Sequence, residues 1–427
     1  MNIELLIFLV VNLIVFFAIR FFIPKKKRKL HYLLFITIAS PGLFIGNTLI
    51  NLCDLFIPIV FLLDFSIYSK KAKDYYIILV PLLMLSISIV FSHLSALMSG
   101  NLSISMMLKS FRFLITIMSI VVIVTEFKKT GDKKYFIKTI YIYSYILCIL
   151  SIFLFFYQNT KFSAHQQLWL VGKTMYRAGG IYGEASNFGF NMVIISILAL
   201  YCASKRIMPK ASYLLLFLSV INNVFSYTRI SVLTFIVILL LFLLLTPINS
   251  KKVTLSLISI ISILILYICS PIVNNFINNR LFALFHTSLN DSSSGRFTIW
   301  YDSIKMLIES DSLVFGIGYK TDGIFVDNCF LYFFVTTGVF GLIMLICVHI
   351  ALIYYCSNGN KNRMFSMFLY LLILIMSITC EVMTYTRGLV LLLILLISLK
   401  TKEEIKTSES VERQGEIKYE LANNYAG

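Results

Sequence analysis

The stretch I-S-V-L-T-F-I-V-I-L-L-L-F-L-L-L-T-P, Ile230–Pro247, decides the fold class of this chain. It carries no charge, and as a helix it would rise about 27 Å, close to the roughly 30 Å hydrocarbon core of a bilayer. Lys251 and Lys252 close it on one side. Working outward, similar apolar segments recur at 2–23, 31–48, 52–69, 75–95, 104–125, 135–157, 183–203, 211–226, 253–270, 328–356, 364–383 and 386–399. With the first, they predict about thirteen spans, with a range of about twelve to fourteen. The composition agrees: 427 residues, 59% hydrophobic and 13% charged, with a mean hydropathy of +0.88. A soluble protein is about 45–50% apolar and about 25% charged. A soluble globular enzyme, a disordered chain and a disulfide-rich secreted domain are therefore excluded, and the expected fold is an all-α polytopic membrane helical bundle.

The formal net charge of +17 would in a soluble protein suggest nucleic acid as a partner. Its placement argues against nucleic acid. Most basic residues fall in alternate gaps: Lys25–Lys29, Lys70–Lys73, Lys128–Lys138, Lys205–Lys210, Lys251–Lys252, Lys361–Arg363 and the tail from Lys400. All these gaps share one side if the spans alternate, and that side is cytoplasmic by the positive-inside rule. The N-terminus is then outside and the C-terminus inside. The first segment lacks a basic region ahead of it and a small-residue cleavage site, so it reads as a retained span. Residues 1–400 are expected to form the transmembrane unit and 401–427 a disordered cytoplasmic tail.

Two outer gaps are long, 158–182 and 271–327. Within the second, Phe297, Trp300, Ile304 and Leu307 recur at spacings of three and four, which predicts a short amphipathic helix on the outer leaflet or over the bundle. The eight cysteines include no C-x-x-C pair, and the histidines form no metal-binding pattern. No metal site and no cofactor motif is present, and neither a nucleotide-binding glycine loop nor a G-x-S-x-G elbow occurs.

Positive charge at the outer ends of spans opposes the topology signal, so each such residue asks for a reason. Arg112, Arg177, Arg229, Arg296 and Arg387 are in this class. Arg229 in S-Y-T-R and Arg387 in T-Y-T-R-G lie in very tight outer hairpins. Snorkelling to lipid phosphate explains a single arginine. Arg177, Arg229 and Arg387 together point to a shared anionic ligand, because the guanidinium binds phosphate oxygens bidentately and stays charged. Glu184, Asp327 and Glu381 are acids at span mouths, which are costly unless paired and thus functional candidates. The plainer reading is that Glu184 neutralises Arg177 and Glu381 neutralises Arg387. In R-A-G-G-I-Y-G-E-A-S-N (Arg177–Asn187), the glycines around Gly180, with Tyr182, would let backbone approach a ligand closely.

At these residues the chain resembles the O-antigen polymerase (Wzy-type) and O-antigen ligase family of bacterial envelope glycan enzymes. The resemblance rests on R-A-G-G-I-Y-G-E-A (Arg177–Ala185), S-Y-T-R (Ser226–Arg229), R-F-T-I-W (Arg296–Trp300), G-I-G-Y (Gly316–Tyr319) and D-N-C-F-L (Asp327–Leu331). It is one of order, spacing and topology over about residues 100–400. Ala185 stands where the family has proline, and Asp327 where the ligase branch usually has histidine, which favours a polymerase.

The resemblance implies a glycosyltransferase-C-like bundle in the bacterial plasma (inner) membrane, with its site facing outward. It implies a repeat-unit polymerase that moves growing glycan from undecaprenyl diphosphate onto a lipid-linked repeat unit. A flippase and a chain-length regulator are the implied pathway partners. The residues agree with metal-independent chemistry: the donor carries its own bond energy, arginines steady the leaving diphosphate, and a carboxylate accepts the acceptor hydroxyl's proton. Asp327 is the first choice for that base and Glu184 the second, with Glu381 and His286 next; Arg177, Arg229, Arg296, Arg387, Asn328, Gly180, Tyr182 and Glu381 are the expected substrate contacts. Two rivals stand beside this reading: a ligase using another acceptor, and a lipid-glycan flippase or transporter, which would usually show internal repeats and midplane charges.

Overall fold

The computed structural model describes residues 3–41, 43–45, 48–72, 75–98, 104–156, 166–170, 173–178, 184–246, 250–269, 296–310, 312–318, 327–358, 360 and 362–400. The described chain is helical apart from two short antiparallel hairpins. The helices are α1 Ile3–Phe22, α2 Lys25–Ile38, α3 Leu52–Leu63, α4 Phe65–Ala72, α5 Tyr76–Met98, α6 Ile104–Thr130 and α7 Lys133–Phe156. They continue as α8 Ala185–Ser204, α9 Pro209–Phe225, α10 Arg229–Leu245, α11 Ser250–Cys269 and α12 Arg296–Glu309. α13 Cys329–Ser357, α14 Arg363–Ser377 and α15 Thr386–Lys400 complete the set, with a single 3-10 turn, Val382–Thr384, before the last. The hairpins pair β1 Leu43–Ile45 with β2 Thr48–Ile50, and β3 Gln166–Leu170 with β4 Lys173–Arg177.

α8 is apolar nearly all round and buried along its length, as a helix at the centre of a bundle must be. It packs against α9, α10, α11, α14 and α15. α15 is likewise buried from Arg387 to Leu399. Peripheral helices instead turn large apolar side chains outward, such as Phe17, Phe21 and Phe22 of α1 and Leu83, Val90 and Phe91 of α5. Such a belt suits lipid as solvent, where backbone polar groups are satisfied inside each helix. Four described helices are long and apolar enough to cross a membrane, at Tyr76–Leu94, Lys133–Phe153, Ala185–Ser204 and Cys329–Ser357. Leu9–Phe22, Leu52–Leu63, Arg229–Leu245 and Arg363–Ser377 are shorter apolar helices.

The basic runs gather at one end. Lys29 Nζ lies 2.6 Å from Asp64 and 3.5 Å from Glu126, and Lys129 lies 2.8 Å from Glu126. Lys27 sits 3.5 Å above the Tyr135 ring. Lys133 Nζ and Asn362 Nδ2 both donate to the Leu399 carbonyl, at 3.1 and 2.8 Å. The starts of α2, α7 and α14 and the ends of α6 and α15 thus share a face, as the charge pattern required.

Three regions, 31–69, 158–182 and 328–356, differ from their sequence reading. The apolar stretch 31–48 is the C-terminal part of α2 followed by the β1–β2 hairpin, and 52–69 is divided between α3 and α4 at Asp64. The outer gap 158–182 contains the β3–β4 hairpin. The third difference is the largest. Residues 328–356 read as one span, but α13 is broken at Gly338 (φ 71°, ψ −167°) into arms 329–337 and 339–357. The Phe330 and His349 ring centroids lie 5.1 Å apart, whereas nineteen residues of straight helix would separate them by about 28 Å. The first arm therefore folds back alongside the second, which at nineteen residues reaches about 28 Å and can cross the core by itself.

Candidate functional site

The motif residues converge at the end opposite the basic runs. Arg296, the first residue of α12, places Nε and Nη2 each 2.8 Å from Oδ2 of Asp327. Both side chains are about one-third exposed. This joins R-F-T-I-W to D-N-C-F-L across the long outer gap through one carboxylate oxygen, Oδ2. Asn328 follows as the N-cap of α13: its Oδ1 accepts from Leu331 N at 3.0 Å, and its Nδ2 donates to the Ile378 carbonyl at 2.9 Å. One end of the amide caps the helix and the other moors it to the end of α14, so the backbone carrying Asp327 is held from two sides.

The break in α13 is built from two glycines. Gly338 and Gly316 (φ 74°) both adopt positive φ, and each faces the other's strand of chain. A Cβ on Gly316 would strike the Thr336 carbonyl and Thr337 nitrogen, and one on Gly338 the Val314 carbonyl. The backbone groups released by the break are taken up by the G-I-G segment: Ile317 N donates to Val335 O at 3.0 Å and Gly318 N to Thr336 O at 3.1 Å. In return, Val339 N donates to Leu313 O at 2.9 Å and Phe340 N to Val314 O at 3.3 Å. Ser92 of α5 also donates to the Thr336 carbonyl.

Glu184 is the N-cap residue of α8, with extended backbone and no side-chain cap. Its Oε1 accepts from Ser186 Oγ and from Tyr385 Oη, each at 3.2 Å. One residue on, the Ala185 carbonyl accepts from Thr228 Oγ1 at 3.1 Å. Both tight hairpins therefore clasp the start of α8, each through its Y-T-R tripeptide: Thr228 of Tyr227–Arg229 and Tyr385 of Tyr385–Arg387. Tyr227 is buried at φ 47°, an uncommon conformation for a non-glycine residue. Ala178 N donates to the Phe225 carbonyl at 3.0 Å, which draws the residue after Arg177 to the same hairpin. Arg229 opens α10 half-buried beside this clasp.

Arg387 is 3% exposed and committed to protein partners, with Nε 2.8 Å from the Thr37 carbonyl and Nη1 3.2 Å from Asn51 Oδ1. Asn51 shares a capping box with Asp54 at the start of α3, and Arg112 of α6 lies 3.2 Å from Asp54 Oδ2. Asn51 and Asp54 did not emerge as site residues from the sequence, although the N-x-x-D spacing at a helix start was the available signal. Glu381 opens the 3-10 turn, where its carbonyl accepts from Thr384 N at 2.9 Å and Thr384 Oγ1 at 2.7 Å. Glu184 and Asp327 both lie within electrostatic reach of Cys380, beside this turn. Two of the three candidate carboxylates thus flank one turn. Gly180, Tyr182 and the side chain of Arg177 lie outside the described residues, and with them the expected pairing of Glu184 with Arg177.

α2, α14 and α15, whose ends carry Thr37, Ile378 and Arg387, have 14, 15 and 15 residues. They rise only about 21–23 Å from the basic end, short of a roughly 30 Å core. α5 and α6, with 23 and 27 residues, continue past them. Thr37 and Arg387 accordingly lie deeper than Glu184, which heads the 20-residue α8 about 30 Å from the basic end.

Residues 214–346 match the family model described as O-antigen ligase, about a third of the chain. The matched segment holds Arg229, Arg296, Gly316, Asp327, Asn328 and Gly338 and leaves out Glu184, Glu381 and Arg387. No curated protein matches the chain.

Proposed function

We propose, from the O-antigen ligase family domain at residues 214–346 and the glycan transfer that this family indicates in general, that the chain is a repeat-unit polymerase. It moves a growing glycan from undecaprenyl diphosphate to a lipid-linked repeat unit on the outer face of the bacterial plasma membrane. The observation that carries the reading is the Arg296–Asp327 contact. It supplies, side by side, a cation suited to diphosphate oxygens and a carboxylate suited to a sugar hydroxyl.

In this reading the acceptor hydroxyl attacks the anomeric carbon, the bond to the diphosphate oxygen breaks, and its electron pair leaves with the lipid diphosphate. Arg296 and Arg229 receive the growing charge, stabilisation that is strongest where water is scarce. Asp327 takes the proton from the attacking hydroxyl, a contribution of about 10²–10⁴-fold. The diphosphate competes with Asp327 for the Arg296 guanidinium, so donor binding frees Oδ2 as it forms the anion site. Asn328, with both amide ends engaged, holds Asp327 in place. Tyr385 donates to Glu184, the second carboxylate, while Arg387 ties the start of α15 to Thr37 and Asn51. No step uses a metal ion.

The test is purified protein in vesicles supplied only with its own lipid-linked repeat unit. A ladder of products is expected, and Asp327→Asn should bind donor but accumulate single units. Full polymerisation by Asp327→Asn would remove Asp327 as the base. A ligase is the second reading, favoured by the description of the matched family. It predicts no ladder from repeat units alone and transfer to a different acceptor when one is added.

A further inference from the structure

Three consecutive large apolar residues on the 312–318 segment, Leu313, Val314 and Phe315, are 45%, 58% and 46% exposed. In water such a run would be a liability. Its neighbours indicate a different solvent. The Phe315 ring lies 5.9 Å from that of Phe91. Phe91 belongs to an outward stripe on α5 that includes Leu83, Ile87, Val90 and Leu94. Phe91 falls inside the apolar window Tyr76–Leu94, about one helical turn from its outer end. Phe315 therefore extends the lipid-facing surface of a membrane-crossing helix.

A second, independent observation concerns the backbone. Irregular chain at membrane depth is tolerated only where its polar groups are satisfied by protein. The carbonyls of Leu313 and Val314 accept from Val339 and Phe340, and the nitrogens of Gly316, Ile317 and Gly318 donate to Ser312, Val335 and Thr336. The broken helix takes up four of these polar groups and the segment itself the fifth, while the apolar side chains of Leu313, Val314 and Phe315 stay exposed.

We infer that residues 312–318 form a re-entrant wedge whose Leu313, Val314 and Phe315 sit among the acyl chains of the outer leaflet. The wedge lies between Arg296 and Asp327 in the chain and is locked to Gly338 beyond them, so it sets the depth of that ion pair below the headgroups. This holds whatever chemistry the ion pair performs, and its test is separate from any assay of glycan transfer.

The full-length protein carrying V314W is reconstituted into phosphatidylcholine vesicles whose acyl chains are brominated near their middle. Its emission is compared with that of the parent, which carries Trp169 and Trp300. The added emission should be lost to bromolipid and resist acrylamide in the buffer. K305W, on the exposed face of α12, should show the reverse. If acrylamide quenches V314W and bromolipid does not, the segment lies in water and the inference falls. It falls equally if neither quencher reaches V314W, since a second copy or another protein then covers the segment. Should V314W not fold, F315W retains an aromatic ring against Phe91 and reports the same depth.

Discussion

Alanine at each of three positive-φ glycines would separate backbone strain from collision at the α13 break. Gly131 (φ 62°) has nothing within 4 Å of a built Cβ, so Gly131→Ala carries only the cost of a left-handed L-residue, about 1–2 kcal/mol. Gly338 combines φ 71° with ψ −167°, a region essentially restricted to glycine and worth about 1–3 kcal/mol of strain. Its Cβ also meets the Val314 carbonyl, and moving that carbonyl breaks the bond from Phe340. One donor left unsatisfied away from water adds about 1–3 kcal/mol, which puts Gly338→Ala near about 4 kcal/mol in total. Gly316→Ala meets the Thr336 carbonyl and loses the bonds from Gly318 and Ser92 by the same route. Because both substitutions open one junction, the double variant should cost far less than their sum. Thermal melting of the purified protein in detergent measures all four variants against the parent. If Gly316→Ala and Gly338→Ala melt no lower than Gly131→Ala, the two glycines do not interlock, and the re-entrant arm has another origin.

Arg387→Lys should lower the melting temperature as well as polymer formation, since it loses bonds to Thr37 and Asn51; Arg229→Lys should lower polymer formation, as read by product ladders on the same preparations. Glu184→Gln and Tyr385→Phe should give similar, partial losses of activity, because each weakens one contact; normal activity in Asp327→Asn with none in Glu184→Gln would reverse the two carboxylates' roles. Impermeant thiol labelling of intact cells should reach K305C and not K134C, and reaction of K134C would overturn the positive-inside register.

The helical membrane class was legible because it rests on composition and on runs such as Ile230–Pro247, which depend on no distant partner. The gathering of Lys29, Lys129, Lys133 and Lys400 at one face was legible for the same reason. The amphipathic helix in the long gap was also readable: Trp300, Ile304 and Leu307 turn inward, although Phe297 does not. The fold-back of α13 was not. Its apolar run is continuous, and a single glycine is common in membrane helices; only the seating of the 313–318 carbonyls and amides reveals the break. Nor could spacing show that Arg296 meets Asp327, or that Tyr385 reaches Glu184 from 201 positions away. The two Y-T-R turns were visible as a repeated pattern, but their common task at the head of α8 is a property of packing. Arg387 shows the limit from the other side: its charge singled it out, while its partners Thr37 and Asn51 are tertiary neighbours.

The clasp at the head of α8 bears on how this chain could be recombined with a relative. The segment 214–346 looks like a portable cassette, yet its Thr228 grips Ala185 and its Asn328 grips Ile378, both of which lie outside it. A chimera exchanging only that segment would import Arg229, Arg296 and Asp327 onto a host's own Glu184 and Tyr385 equivalents. Its seams would also include host side chains: Ser92 donates to Thr336, Ser196 meets Ser219, and Phe155 stacks on Phe225. The graft should therefore succeed only in a host that keeps these partners as well as the two helix ends at the same height.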